Sequence, residues 1–561
     1  MKKSTLTTLL GLLFVLPFSS CEAVPSESGS SLETLASSTS ESLLDDSFET
    51  EGTASSSRAA LSEPKPTPDK LTFTFNNDTL SYAVTLSEAG SKMTYGSVVI
   101  PETYNGFPVT KIAKEGFWCE KGPSAVYIPK TIKGIADKAF ECSGSNLTSI
   151  DVSPDNPKYS SRRGMLFNKD MTELIRCPKG KRSQIWLPDD ILTLRDHSFY
   201  ECSLAGLNKL PDSLTTIGDS AFELVTKMPS TFVVPDNVTE IGKNAFAGAP
   251  ISELVLGNSL QTIGEYAFAQ CTDLTHLEIP SSVRTIETCA FDSCRSLESV
   301  TINSGLKTIG ELAFANCTSL IGVTLPDTVS SISTRAFINC SSMEWFNVSA
   351  ENAYYSSLHD VLYNKNQTVL IRCPENKKRI TLPDTVTTIG EFAYYSNKKI
   401  TSFVIPDSVT RIGLNAFNYC PNLKEVTIGE NVAIIDRRAF ENCESLKTVT
   451  VNSNVLAEIR DYAFDGCLSL KSIAIPDSIN VVGYSAFNAC AAMTEVSLGS
   501  GVTLIDTYAF RKCTSLVTFS YNGTMMQWAN VAKREKVFFG SSIREITCTN
   551  GRASLNFTDY L

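Results

Sequence analysis

The residues of this 561-residue chain most able to do chemistry are its seventeen cysteines and three histidines. Cysteine can bind zinc, form disulfides or act as a nucleophile, and each role depends on the spacing to its partners. The sequence contains no C-x-x-C pair, and His197, His276 and His359 lie in three separate parts of the chain. This spacing disfavours a metal site, and we predict that the protein uses no metal ion or other cofactor.

Ten of the cysteines share one position, three residues after an aromatic residue that recurs along the chain. These are Cys202, Cys271, Cys294, Cys317, Cys340, Cys420, Cys443, Cys467, Cys490 and Cys513. Val225, Ala249 and Asn397 hold the same position in other units. A position that accepts Cys, Val or Ala favours a small inward side chain, and free cysteine packs as a small apolar residue. We interpret these cysteines as buried thiols, with scattered disulfides between stacked units as the alternative.

Motifs for catalysis are absent from the sequence. There is no H-E-x-x-H, no G-x-S-x-G and no glycine-rich phosphate loop followed by Lys-Ser/Thr. The carboxylate pairs Asp45-Asp46 and Asp189-Asp190 fall in a polar linker and a predicted turn, where solvated charge is the simpler interpretation. Residues 153–161 supply several oxygen atoms but lack the ligand spacing of a calcium loop. We therefore predict that the protein is not an enzyme.

The recurring aromatic residue, called the marker aromatic below, shows how the chain is organised. It occupies Phe117, Phe140, Phe199, Phe222, Phe246, Phe268, Phe291, Phe314, Phe337, Tyr394, Phe417, Phe440, Phe464, Phe487 and Phe510. Successive markers are 22 to 24 residues apart, except for two longer steps that contain inserts near 151–188 and 348–383. The inserts resemble each other, with YSSRRGMLFNKDMTELIRCP in the first and YSSLHDVLYNKNQTVLIRCP in the second. A fixed period of this length is typical of a repeat array.

One repeat unit can be interpreted physically from LTHLEIP, which ends at Pro280. Leu274, Leu277 and Ile279 alternate with polar residues, as expected of a short strand with one buried side. A turn follows that points Ile286 inward. The marker aromatic then enters the core.

Several units carry a glycine directly after the isoleucine of this turn, and we expect it to provide a permissive backbone. These are Gly264, Gly310, Gly390, Gly413 and Gly483. Because one unit cannot bury its apolar side alone, the units must stack. The sequence predicts a repeat solenoid, with parallel strands on one face and turns or short helical segments on the other.

The unit L-x-x-V-x-I-P-x-S-V-x-x-I-G-x-x-A-F-x-x-C resembles the BspA-type leucine-rich repeat of bacterial surface proteins over about residues 71–550. VIPETYNGFPVTKIAKEGF resembles the entry segment of that family, and YNGTMMQWANV through ITCTNG resembles its closing segment. The resemblance implies a non-enzymatic extracellular adhesin, anchored by lipid or to the wall, that binds host matrix proteins or other cells. It transfers no individual binding residue.

The N-terminus has the layout of a secretory signal peptide. Two lysines precede an apolar stretch, 6–18, that is too short to span a bilayer. Phe18-Ser19-Ser20-Cys21 resembles a bacterial lipobox, which implies lipidation of Cys21 and attachment to a membrane at the cell surface. Secretion without a lipid is the alternative.

The remaining boundaries follow from composition and from the repeat. Residues 22–69 are rich in Ser, Thr, Glu and Ala, and we expect a flexible tether because such a segment cannot bury enough apolar surface to fold. Residues 70–115 are the predicted entry segment, 116–521 the repeat array, and 522–561 the closing segment and tail.

Binding is the remaining function for the array, and the strand face is the expected place for it. The net charge of −11 and the absence of basic runs interleaved with aromatics argue against nucleic acid. The candidate surface comprises Thr301, Thr324, Trp345, Asn347, Thr427 and Thr450.

Each residue type on this surface has a binding role and a purely structural role as alternatives. Trp345 could anchor a partner, or it could pack under the second insert. The threonines could bind an extracellular protein or glycan, or they could simply favour strands and solubility. An envelope protein that contacts its own cell remains the second functional interpretation.

Overall fold

The computed structural model describes residues 64–141, 145–204, 207 and 209–555. These residues form a parallel-strand β-solenoid of about 20 turns with little helix, which confirms the predicted fold class. The predicted signal peptide, Cys21 and the predicted tether up to residue 63 lie outside the described residues. Thr67, near the predicted end of the tether, already donates its backbone N–H to the Val99 carbonyl (3.0 Å).

The predicted strand of each unit contributes to one of two sheets, which we call the first and second long-strand sheets. The first has six parallel strands: Thr231–Val233, Glu253–Val255, His276–Ile279, Ser299–Ile302, Gly322–Leu325 and Trp345–Val348. The second has eight strands, parallel except for the last pair: Ser402–Val404, Glu425–Ile428, Thr448–Val451, Ser472–Ile475, Glu495–Leu498, Thr518–Tyr521, Glu545–Cys548 and Gly551–Ser554.

A second ladder occupies the segment that the sequence analysis assigned to a turn. Here each unit adds a two-residue parallel strand, and each insert begins the ladder with an antiparallel hairpin. One ladder comprises Tyr159–Arg162, Met165–Asn168, Glu173–Arg176, Thr193–Leu194, Thr216–Ile217, Glu240–Ile241, Thr262–Ile263, Thr285–Ile286, Thr308–Ile309 and Ser331–Ile332. The other comprises Tyr355–Leu358, Val361–Asn364, Val369–Arg372, Thr388–Ile389, Arg411–Ile412, Ile434–Ile435, Glu458–Ile459, Val481–Val482, Leu504–Ile505 and Ala532–Lys533.

The entry segment and the first repeat units together form a five-stranded sheet and a three-stranded sheet. Their strands are Leu71–Asn76, Ser81–Leu86, Thr103–Tyr104, Phe107–Ile112 and Gly134–Ile135, and then Ser97–Val99, Ala125–Ile128 and Ser149–Val152. The helices of the described residues are the 3₁₀ turn Pro68–Lys70 and the α-helices Glu88–Ser91 and Met525–Asn530. The last of these begins with a capping box between Thr524 and Gln527, which satisfies backbone donors at its N-terminus.

The marker aromatics stack along the core. The ring of Phe314 is buried and nearly parallel to its neighbours, with centroids 5.2 Å from Phe291 and 5.4 Å from Phe337. Within the regular part of the array, the backbone at the marker is also bonded to the next turn; for example, the Phe291 N–H donates to the Ala313 carbonyl (2.8 Å). Each turn is therefore tied to its neighbour on three sides and through the core.

The glycines after the turn isoleucine have a different role from the predicted one. Gly264 and Gly310 do not have positive φ angles; such angles occur instead two residues before and two after the marker, as at Tyr266 (55°) and Gln270 (59°). A Cβ added at Gly264 would lie 2.5 Å from the Ile241 carbonyl oxygen of the preceding turn. The expectation of a permissive backbone was wrong, because these glycines serve the close approach of two turns.

The cysteine column is buried, as predicted, and every cysteine in the described part of the chain is a free thiol. The Cys294 Sγ donates to the Phe268 carbonyl of the preceding turn (3.2 Å), and the Cys317 Sγ donates to Phe291 in the same way (3.3 Å). Burial raises the pKa of Cys271 to about 12, so that the thiol keeps its proton. The column therefore favours cysteine because it offers a donor as well as small size.

We predict that Phe314→Ala lowers the free energy of unfolding by about 3–5 kcal/mol, because the cavity removes the contacts with both neighbouring rings. Urea denaturation followed by circular dichroism measures the loss. Tyr354→Ala, which removes a ring that is 56% exposed, is the matched control and should change stability by less than about 0.5 kcal/mol. A loss of unfolding free energy below about 1 kcal/mol for Phe314→Ala would show that the stacked aromatic rings contribute little to stability.

Candidate functional site

The structure divides the six candidate residues between the two long-strand sheets. In the first sheet Thr301 pairs with Glu278 of the preceding strand, and Thr324 pairs with Asn347 of the following one. Thr301, Thr324 and Asn347 are exposed and follow the same row across the sheet. Thr427, which is half-buried, and Thr450, which is exposed, pair in the second sheet. The second insert separates the two groups along the chain.

Trp345 lies beside this row, directly opposite Gly322. A Cβ at Gly322 would lie 2.2 Å from two atoms of the indole ring, so the ring packs directly against the glycine of the preceding turn. The tryptophan is half-buried in this arrangement. The sequence analysis missed this contact, although a glycine within a strand indicates close approach by another group.

The face around Trp345 is suited to hydrogen bonding and stacking. His276 is exposed, with its Nδ1 2.9 Å from the Thr275 hydroxyl oxygen, and Glu278 accepts a hydrogen bond from Asn303 (2.9 Å). At the far end of the sheet the exposed side chains of Val233 and Val255 pair with each other. This face is broad and mostly neutral.

The first insert creates a cavity of about 500 Å³ that contains a histidine–carboxylate pair. The His197 Nε2 lies 2.9 Å from the Glu141 Oε1, and Lys138 lies 3.1 Å from the same oxygen. Burial lowers the pKa of His197, and Glu141 opposes that shift. His197 occupies the positive-φ position of its turn (58°). Arg176 also lines this cavity.

An arginine at the end of each insert replaces contacts that a regular turn would make. The Arg372 guanidinium donates to the carbonyls of Phe337 and Phe392, which belong to the turns on either side of the insert. It also pairs with Glu375, which accepts the backbone N–H of Asn339 (2.7 Å). Burial raises the pKa of Glu375 to about 7 against the effect of Arg372.

The first insert makes a related bridge. Arg176 donates to the carbonyls of Glu141, His197 and Tyr200. These arginines bond the turns on both sides of each insert, where the insert itself lacks a marker aromatic.

The repeat matches a known family across much more than half of the chain. Residues 84–174, 177–274, 239–358, 372–457 and 453–557 match the BspA type leucine rich repeat region (6 copies). The chain belongs to the BspA-type leucine-rich repeat family. Proteins of this family are generally bacterial cell-surface proteins, and their repeat and solenoid fold are typical of non-enzymatic proteins.

Several solved structures are similar to the chain. A leucine-rich cell surface protein from Faecalibacterium prausnitzii is 23% identical, with 84% of this chain and 99% of that chain covered and a TM-score of 0.39. A leucine-rich repeat protein from Eubacterium ventriosum is 24% identical, covers 58% of this chain and 87% of its own, and has a TM-score of 0.47. A protein of the same description from Bacteroides ovatus is 20% identical, covers 85% and 98%, and has a TM-score of 0.39.

No curated protein matches the sequence significantly. Among the residues that the structure describes, no helix has the length and apolar character needed to cross a membrane.

We predict that Gly322→Ala destabilises the protein by about 1–3 kcal/mol, because the added methyl group displaces the Trp345 ring. In a Trp345→Ala background the same change should be neutral or slightly stabilising, since the space is empty and alanine restricts the unfolded chain. A double-mutant cycle by urea denaturation measures this coupling. Equal effects in both backgrounds would show that the ring does not rest on Gly322.

Proposed function

We propose that the protein is a non-enzymatic cell-surface adhesin whose repeat array binds an extracellular protein or glycan. The observation that carries this proposal is the exposed polar row of Thr301, Thr324 and Asn347 beside the half-buried indole of Trp345. Membership of a family that is generally displayed on bacterial surfaces supports it. The N-terminal signal peptide, lipidation of Cys21 and a tether that lifts the array from the membrane are part of the same proposal.

Trp345 is the residue best suited to anchor a partner. Its ring is held against Gly322 before any ligand arrives, so little side-chain entropy is lost on binding. Large aromatic side chains with partly buried surroundings dominate the binding energy of many interfaces. The neighbouring Thr324 and Asn347 offer hydrogen bonds that orient an extended ligand.

Display on the cell can be tested by protease shaving. We expect that a protease added to intact cells removes the array, because the proposed anchor and tether hold it outside. An antibody against the array, used on washed cells, measures the loss, and a cytoplasmic protein serves as the control for lysis. If only permeabilised cells lose the array, an envelope protein that contacts its own cell becomes the better interpretation.

Binding can be tested by screening the purified protein against immobilised extracellular matrix proteins and neutral glycans. For a partner identified in this way, Trp345→Ala should weaken binding by about 30-fold, which corresponds to the roughly 2 kcal/mol of a hot-spot side chain. Trp118→Ala removes an indole that is 61% exposed at the start of the repeat array and is the matched control. Equal affinities for the two variants would remove Trp345 from the binding surface.

A further inference from the structure

A row of lysines borders the second long-strand sheet. Lys424, Lys447 and Lys471 each precede a strand of that sheet by one residue. The Lys447 N–H donates to the Lys424 carbonyl (2.8 Å) and the Lys471 N–H to the Lys447 carbonyl (3.3 Å), so the three residues occupy successive turns. All three side chains are exposed, and none forms a salt bridge within the described part of the chain. We call these three residues the lysine row.

More basic residues lie between the row and the second insert, although the row position on the preceding turn is Thr401, whose carbonyl accepts the Lys424 N–H (2.8 Å). Lys398 and Lys399 are exposed on the preceding turn, where the Asn422 side chain donates to the Lys398 carbonyl (2.8 Å). Lys378 and Arg379, also exposed, end the insert itself. A groove of about 540 Å³ is lined by Ser341, Ser342, Glu375, Asn376, Ser396, Lys398, Lys399 and Asn422. The positive charge therefore extends from the insert along the edge of the sheet.

The first long-strand sheet provides a comparison inside the same molecule. Its corresponding positions are Thr275, Glu298, Ile321 and Glu344, which are linked by the same backbone hydrogen bonds of 2.7 to 3.1 Å. The fold accepts neutral and acidic residues there, so stacking of the turns does not require lysine. The presence of lysine at three successive turns therefore needs an explanation other than stability of the fold.

The lysine row also has an electrostatic cost. Neighbouring turns of a parallel sheet lie about 4.8 Å apart, which is less than the screening length of about 8 Å at physiological salt. The ammonium groups therefore repel one another. The exposed Glu425, Glu444 and Glu495 lie on the same or adjoining turns, but none of them forms a salt bridge with the lysine row in the described part of the chain. In a protein with a net charge of −11, this edge is a local positive field that concentrates anions.

We propose that the lysine row binds a linear acidic polysaccharide, one that carries sulfate or carboxylate groups along its length. The straight row matches a ligand with regularly repeated charge, and the exposed hydroxyls of Thr448 and Ser472 lie beside the lysines to bond sugar hydroxyls. Lysine binds such groups as a point charge without demanding a planar partner. The row and the strand positions that follow it carry no aromatic ring for base stacking, which single-stranded nucleic acid favours.

This inference rests on the proposed display of the array outside the cell, and it narrows the ligand class. The experiment uses immobilised heparin as the probe and the full protein with Lys424→Gln, Lys447→Gln and Lys471→Gln combined. The matched control combines Lys133→Gln, Lys307→Gln and Lys512→Gln, which removes the same charge from exposed positions elsewhere. We expect the wild type to bind heparin less tightly as salt is raised, and the lysine-row variant to bind at least about tenfold more weakly than the control variant.

The outcomes separate this inference from the proposed function. Absence of heparin binding at low salt, or equal binding by the two triple variants, overturns the polysaccharide site. Tighter binding to duplex DNA or to phosphatidylglycerol vesicles than to heparin overturns it in favour of that anion. If heparin binding fails while a matrix partner still depends on Trp345, only this inference falls. If heparin binding depends on the lysine row but shaving leaves the array intact, the adhesin proposal falls instead.

Discussion

The structure depends on the contact between one turn of the chain and the next. A single turn cannot bury its own apolar side, so each marker aromatic is buried only because rings of neighbouring turns lie above and below it. Backbone hydrogen bonds on three sides and the thiol-to-carbonyl bond of the cysteine column add to the same contact. Where an insert removes the marker aromatic, a buried arginine supplies bonds to both flanking turns.

This contact explains how the molecule presents its surface. Because the inward residues of each strand are fixed by stacking, the outward ones align in rows, as Thr324 and Asn347 do. The rows tolerate wide variation in chemistry, and the same position carries Glu298 in one sheet and Lys447 in the other. Functional surface can therefore change without changing the core.

Much of the fold was predictable from the sequence because the core repeats. The spacing of the marker aromatics and the choice of Cys, Val or Ala after them indicated buried columns, and both are buried. The ladder of two-residue strands was missed because Thr285–Ile286 is too short to show an alternating pattern. The role of Gly264 was misjudged because a close approach depends on the preceding turn, which local sequence does not report.

The candidate site was less predictable because its parts are distant in sequence. The exposed rows could be predicted from the alternation of side chains along each strand. The contact between Trp345 and Gly322 could not, because it depends on the register between two strands. The lysine row was missed for the same reason, since its members are 23 and 24 residues apart in the sequence. The overall net charge of −11 also gives no sign of a local cluster of positive charge.

The cysteine column has a consequence for how the protein responds to oxidants. Each thiol of the column is buried between two turns, so an oxidant reaches a sulfur only when those turns separate. Oxidation of a given cysteine therefore indicates that the two turns around it have separated locally. The set of oxidised cysteines would map which parts of the array open most often.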